Sequence, residues 1–562
     1  MYSSAKLSRL VLWLLTAAFM SSLIFTEVAI GQYFGKNKVQ YQDFDFNIIE
    51  SENYQVYYYP EEQTAATDAT SMLERWYSRY SELFGYKLSQ KQKVILYANH
   101  ADFQQTNVIS GRIPQATGGV TEGMRQRIVL PLTGVYKEDN HVLGHELVHG
   151  FQYDIMRQSR AGLRASRRMP LWFIEGMAEY MSIGRNDALT AMWMRDAVLH
   201  DDVPTVKEMT RSREYFPYRY GHAMWGFITG RWGDAVLPQL FNAVMNTGWE
   251  RASKAVLGFS SDSLSTMWQN TLTEYYEPQL QGKTHPDSLG EKIITGGAGT
   301  NLSPVISPDG EYVAFISRRE LFTMDLYVAD AKTGEVLGKL VSTNTDAHFD
   351  ALRYMDSAGS WSPDSKSFAF VVFDKGDNQI AIADAESQKI KRTSKIQAVD
   401  AIQNLAWSPD GEHIVFNGTY GGVGNLYLYN VKSEAVTQLT DDLHAEVQPA
   451  WSPDGNTIAF STDRGAETSF QDFTFSTMNI GLLSVETGDV QLITMKDGAR
   501  HINPQFSPDG DDIFFISDAD GYSDVYRFSM NTGQYYRVTN VATGISGLTE
   551  MSHAMSVDRQ AG

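Results

Sequence analysis

The 562-residue chain contains no cysteine, which excludes a disulfide framework, a thiol nucleophile, a cysteine metal ligand and a lipid anchor on an N-terminal cysteine. Any metal must therefore be held by His, Asp or Glu. Basic residues are also scarce: 47 Lys and Arg face 67 Asp and Glu, a formal charge of −20. That balance argues against nucleic acid as a partner and for a soluble, acidic surface. The length is too great for one ordinary core and points to several domains, or to two if one is a large repeat array.

What the chain does have is a dense histidine stretch at residues 141–153, His-Val-Leu-Gly-His-Glu-Leu-Val-His-Gly-Phe-Gln-Tyr, containing His-Glu-x-x-His at His145, Glu146 and His149. Residues four apart on a helix lie one above the other, so the two imidazoles can converge on one ion. Glu146 sits about 100° round the helix from His145, near enough to hold a water and accept its proton as general base. Val142, Leu143, Leu147, Val148 and Phe151 supply the apolar face of a buried helix. His141 extends the stripe, but about 12 Å of helix axis separates it from His149, so one ion cannot take all three. The third ligand must come from elsewhere. The segment Leu171-Trp-Phe-Ile-Glu-Gly-Met-Ala-Glu-Tyr180 carries Glu175 and Glu179 four apart in apolar surroundings, where carboxylates are costly unless paired or metal-bound. Glu175 is the expected third ligand, and Gly176 beside it permits a close helix approach.

The pair of motifs, His145-Glu146-x-x-His149 then Trp172-x-x-Glu175-Gly-x-Ala-Glu179-Tyr, resembles the gluzincin zinc metallopeptidases of the peptidase MA-like group, over residues from about 45 to 280. The resemblance implies an α+β zincin-like domain in which His145, His149 and Glu175 bind Zn2+, Glu146 is the catalytic base and Glu179 orients a ligand histidine. A donor for the developing oxyanion is sought in Tyr215-Phe-Pro-Tyr218-Arg-Tyr220-Gly-His222, with Tyr220 first and His222 and Tyr218 behind it. Arg127–Pro131 reads as an edge strand before the metal helix, suited to pairing with an extended peptide. Arg157, Arg160, Arg164, Arg167 and Arg168 form a basic run that reads as a solvated face or, more sharply, as a site for a substrate carboxylate.

Residues 1–31 place Lys6 and Arg9 before an apolar run from Leu10 to Phe25, then Ala29-Ile-Gly31. Both a cleaved signal peptide and a retained membrane anchor fit this order. Either exports the rest, to the periplasm or beyond, the anchor adding membrane association. The peptidase-like domain is expected over 32–282, up to a polar stretch from Gln281 to Ser288.

Beyond it the chain repeats. Ser-Pro-Asp-Gly or a close variant recurs at Ser307, Ser362, Ser408, Ser452 and Ser507, with a degenerate sixth anchor at Ser556; the spacings are 55, 46, 44, 55 and 49 residues. Each interval suits one four-stranded blade, with Pro fixing φ and Gly supplying positive φ in the turn. These repeats resemble the TolB-like β-propeller over 283–562. About six blades are expected, the last incomplete, so that the propeller is open or the chain is a piece of a longer one. Lys292-Ile-Ile-Thr295 is a candidate outer strand, and Asp518–Asp524 a hairpin turn. The function expected is a secreted zinc peptidase acting on a peptide or protein substrate, its propeller binding substrate or a protein partner. The alternative is a non-catalytic cell-envelope scaffold with a structural zinc domain.

Overall fold

The computed structural model describes residues 40–109, 111, 113–293, 300–319, 324–341, 351–352, 358–549 and 551–559. The leader-like segment and Thr295 lie outside them. Among the described residues no helix is long and apolar enough to cross a membrane.

The N-terminal part is built on a five-stranded sheet: β1 (Asn47–Glu50), β2 (Tyr54–Tyr58), β3 (Gln92–Tyr97), β4 (Val120–Glu122) and β5 (Arg127–Pro131), in the order β1-β2-β3-β5-β4. β2, β3 and β5 are parallel, and β1 and β4 pair antiparallel at the two edges. Arg127–Pro131 is therefore an interior strand, and the free edge belongs to β4. Helix α1 (Gln63–Phe84) buries Ala65, Ala66, Ala69, Met72, Leu73, Tyr77 and Tyr80 at helical spacing, which glues it to the sheet. It stops at Gly85, whose positive φ lets its N–H close on the Ser81 and Glu82 carbonyls. Helices α2 (Tyr136–Gln158), α3 (Leu171–Ile183), α4 (Ala188–Leu199) and α5 (Pro217–Trp232) share one core with it.

Residues 301–537 form five antiparallel sheets among the described residues. Each anchor serine explains its own turn. Its hydroxyl donates to the aspartate two residues on at 2.5–2.6 Å and accepts the N–H five residues on at 2.9–3.0 Å. In the second blade Ser365 stands in place of glycine and takes the same positive φ, 58°. Among the described residues Ser556 opens no strand, and the incomplete sixth blade expected there contributes no sheet. Instead the Ser556 hydroxyl accepts the Ile306 N–H of the first blade, while Ala554 and Met555 donate to the Asn503 side chain of the fifth. Residues 554–556 thus bridge the first and fifth blades.

From Gln40 onward the chain is one compact unit. The loop entering α2 is seated on the propeller: Gly134 accepts the Gly424 N–H, and Val135 is buried with Ala445, Val447, Met478, Ile502 and Ile516. Near this joint lie three buried or half-buried acids. Burial, then the charges of Asp400 and Glu61, raise Glu62 to about 8. Burial likewise raises Asp102 to about 7 and Asp400 to about 6, and one Glu62 carboxylate oxygen has no hydrogen-bond partner among the described residues. The folded state therefore holds a proton on Glu62 that the unfolded chain releases near pH 4.3, so this group weakens the fold as pH rises from about 4 through 8. Glu62→Gln removes the effect. The variant should be more stable than the parent by about 5 kcal/mol at pH 8.5 and indistinguishable at pH 4, as checked by urea denaturation.

Candidate metal centre

α2 has an apolar face over most of its length, so His145, Glu146 and His149 enter the interior with it, and all three are buried. His145 Nε2 and His149 Nε2 lie 3.2 Å apart; Glu175 Oε2, brought by α3, is 3.2 Å from His149 Nε2 and 3.5 Å from His145 Nε2. Two donors each 2.0–2.1 Å from a single ion at the tetrahedral angle stand about 3.3 Å apart. All three separations fit that requirement within a few tenths of an ångström, and the donor set of two imidazoles and a carboxylate suits zinc.

The far side of each histidine is also held. Glu179 Oε1 accepts from His145 Nδ1 at 3.0 Å, and Gln152 Oε1 from His149 Nδ1 at 2.9 Å, so both Nε2 atoms face the focus. Arg219 steadies Glu179 from behind at 3.5 Å and reaches Asp187 at 3.1 Å. Burial alone would lower the His145 pKa, but Glu175 and Glu179 outweigh it and raise it to about 10. Burial opposes ionisation of Glu179 too, yet His145, His141 and Arg219 bring it down to about 2. The same contest leaves Glu175 well below the carboxylate range, mainly through His149 and His145. Each shift says that the focus favours positive charge. His141 stands outside it, 3.6 Å from Glu179, and burial lowers it to about 4.

Glu146 points to the β4 side. The Thr121 hydroxyl lies 2.6 Å from its Oε2 and 2.9 Å from its carbonyl oxygen. A Cβ on Gly119 would come within 2.8 Å of Glu146 Cγ, so only glycine leaves the carboxylate its place there. α3 and α5 cross at Gly176 and Gly221, where a Cβ on either would meet the other helix's backbone at 2.2 Å.

That crossing sets which aromatic reaches the cluster. Tyr218 stacks on His145, ring centroids 5.8 Å apart, and burial, then the nearby charge of Glu175, raises its hydroxyl well above the usual range. Tyr220, two residues on and so about 200° round the helix, turns away to Trp193 and Tyr215. His222 faces the cluster's side but is spent on Thr190 Oγ1 at 2.9 Å and the Gly184 carbonyl at 2.7 Å. Of the three candidates it is Tyr218, named last, that stands against the cluster, in place of Tyr220. In the basic run Arg160, Arg164, Arg167 and Arg168 are exposed, while Arg157 donates to the Gly123 carbonyl. Gln152, Thr121 and Arg219 were not foreseen. Only Gln152 left a trace in the sequence, three residues beyond His149 on the same face.

Removing the brace on His145 should loosen the focus without opening the core. Glu179→Ala is expected to weaken zinc binding 10- to 100-fold, measured by competition with a chromophoric chelator, with the far-ultraviolet circular dichroism spectrum unchanged.

Comparison with known proteins places the C-terminal part in context. Residues 353–477 match the TolB beta propeller domain, and the C-terminal part is a TolB-like β-propeller. The chain is 26% identical over 249 residues to an uncharacterised protein of Agrobacterium fabrum, covering 43% of this chain and 77% of that one. It is 30% identical over 252 residues to an uncharacterised peptidase, YuxL, of Bacillus subtilis, covering 42% of this chain but only 34% of the peptidase. TolB from Acinetobacter baumannii is 20% identical, with 44% of this chain and 57% of that one aligned at a TM-score of 0.34.

Proposed function

We propose that the protein is a zinc-dependent peptidase of gluzincin type, with a zincin-like catalytic part over 32–282 and a propeller over 283–562 that binds substrate or a protein partner. The observation that carries this reading is the convergence of His145, His149 and Glu175 within 3.2–3.5 Å of one another, with Glu146 between them and the free edge of β4. The peptidase name of the Bacillus subtilis relative supports it over part of the chain. A purely structural zinc site would close with four protein ligands and have no use for Glu146. The leader-like order of residues 1–31 and the TolB-like propeller support a periplasmic or extracellular location.

His145, His149 and Glu175 would hold the ion. The chemistry such an ion supplies when bound is Lewis acidity, which polarises a scissile carbonyl and brings the pKa of a nearby water to about 7. Glu146 takes the proton of the attacking water and carries it to the leaving amine nitrogen, held in register by the Thr121 hydroxyl. Tyr218 Oη, beside Glu175, is the donor available to the oxygen that becomes negative. The free edge of β4 offers an extended peptide a strand to pair with.

Purified protein should contain one zinc per chain and cleave members of a peptide library in a chelator-sensitive way. Tyr218→Phe should lower kcat about 10- to 100-fold with zinc content unchanged. Cleavage that survives full removal of metal would rule the proposal out.

A further inference from the structure

A row of aromatic rings runs outward from the metal centre. Tyr218 stacks on His145, and Phe216 stacks on Tyr218 at 5.2 Å and 29°. Trp193, from α4, lies next at 5.8 Å and 33° from Phe216. The inner ring is half-buried and polar-tipped, but the outer two are open, Phe216 by 44% and Trp193 by 37%. Large aromatics left in water beside a buried polar cluster mark a surface that gains by being covered. Their positions are also fixed in advance: Phe216 is the N-cap residue of α5, with Pro217 in the first turn setting the backbone, and Trp193 stands mid-helix on α4. Such a wall asks little ordering of a ligand that stacks on it. Across the focus the β4 end is charged instead, with Glu122 bonded to Arg125 and Arg127.

We infer that Phe216 and Trp193, continuing from Tyr218, form the side-chain subsite that selects the substrate: an aromatic residue of the peptide, next to the bond at the metal, stacks on them. The inference rests on the peptidase reading and narrows it to peptides with an aromatic residue flanking the scissile bond. Neither Phe216 nor Trp193 belongs to the donor set or its braces, so each can be changed without touching the proposed chemistry.

The test is binding to the zinc-loaded full-length protein by titration calorimetry, with zinc content measured on the same sample. Two peptide hydroxamates are compared, differing only in a benzyl or a methyl side chain next to the metal-binding group. The benzyl compound should bind about 10- to 100-fold tighter. Phe216→Ala and Trp193→Ala should each remove most of that preference and leave the methyl compound's affinity unchanged, while Trp193→Phe retains it. Circular dichroism confirms that the variants fold. Equal affinities in the parent, or a preference that survives both alanine variants, would overturn the subsite and leave the peptidase reading standing. A zinc-containing protein that binds neither compound would overturn both.

Discussion

Replacing Glu146 by glutamine should lower kcat by about 10³-fold and leave zinc content and thermal stability unchanged. Glutamine has the same shape, so it still fits against Gly119, whose lack of a Cβ leaves the side chain its room. The Thr121 hydroxyl, 2.6 Å from Oε2, keeps an oxygen to donate to. What is lost is the ability to take a proton from water and return it to the leaving nitrogen. The metal ligands lie on either side of Glu146 and on α3, so binding of zinc does not depend on it. A variant that hydrolyses peptides at the parent's rate would remove Glu146 from the role of base, and one that loses its zinc would show it to be a structural group.

Gly176→Val should have the largest effect on the fold. A Cβ there would stand 2.2 Å from the Gly221 carbonyl carbon and 2.4 Å from its Cα, and backbone atoms in the middle of a helix cannot step aside. α3 and α5 would have to separate. That shift would displace Glu175 and Tyr218 together, because each lies within three residues of the crossing. A cost of about 4 kcal/mol or more is expected, with zinc binding lost in whatever fraction still folds. Urea denaturation and metal analysis read the two losses. Gly226→Ala and Gly230→Ala, in the same helix α5, are the internal controls. A Cβ at either meets nothing within 4 Å, and alanine should stabilise by about 0.5–1 kcal/mol. A Gly176→Val protein as stable as these controls would mean that the crossing is looser than the geometry states.

The blade anchors and the metal motif could be recognised in the sequence because each is a local pattern. Four residues of helix bring His145 and His149 to the same side whatever surrounds them, and a serine five residues before an N–H closes the same turn five times over. α1 and β2 carry local patterns of the same kind, since their buried residues recur at the helical and strand periods.

Other features depended on packing between distant segments. Tyr218, Tyr220 and His222 are alike as candidates in one dimension; only the phase of α5, set where Gly221 meets Gly176, turns Tyr218 to the cluster and Tyr220 away. Strand Arg127–Pro131 has the composition of either an edge or an interior strand, and it is interior because Val120–Glu122 returns to pair outside it. Ser556 reads as the anchor of a further blade, yet its hydroxyl accepts the Ile306 N–H of the first blade while Ala554 and Met555 hold Asn503 of the fifth, contacts that no repeat spacing announces. The polar stretch near residue 282 reads as a boundary between two halves, but Val135, just before the metal helix, is buried against the propeller. The convergence of His145 and His149 thus follows from short-range spacing, which the backbone's own geometry enforces, whereas Glu175 is brought to them by a second helix. Which aromatic stands beside the site, which strand borders it and what supports its helix were decided by contacts between residues up to hundreds of positions apart, and no local period encodes those.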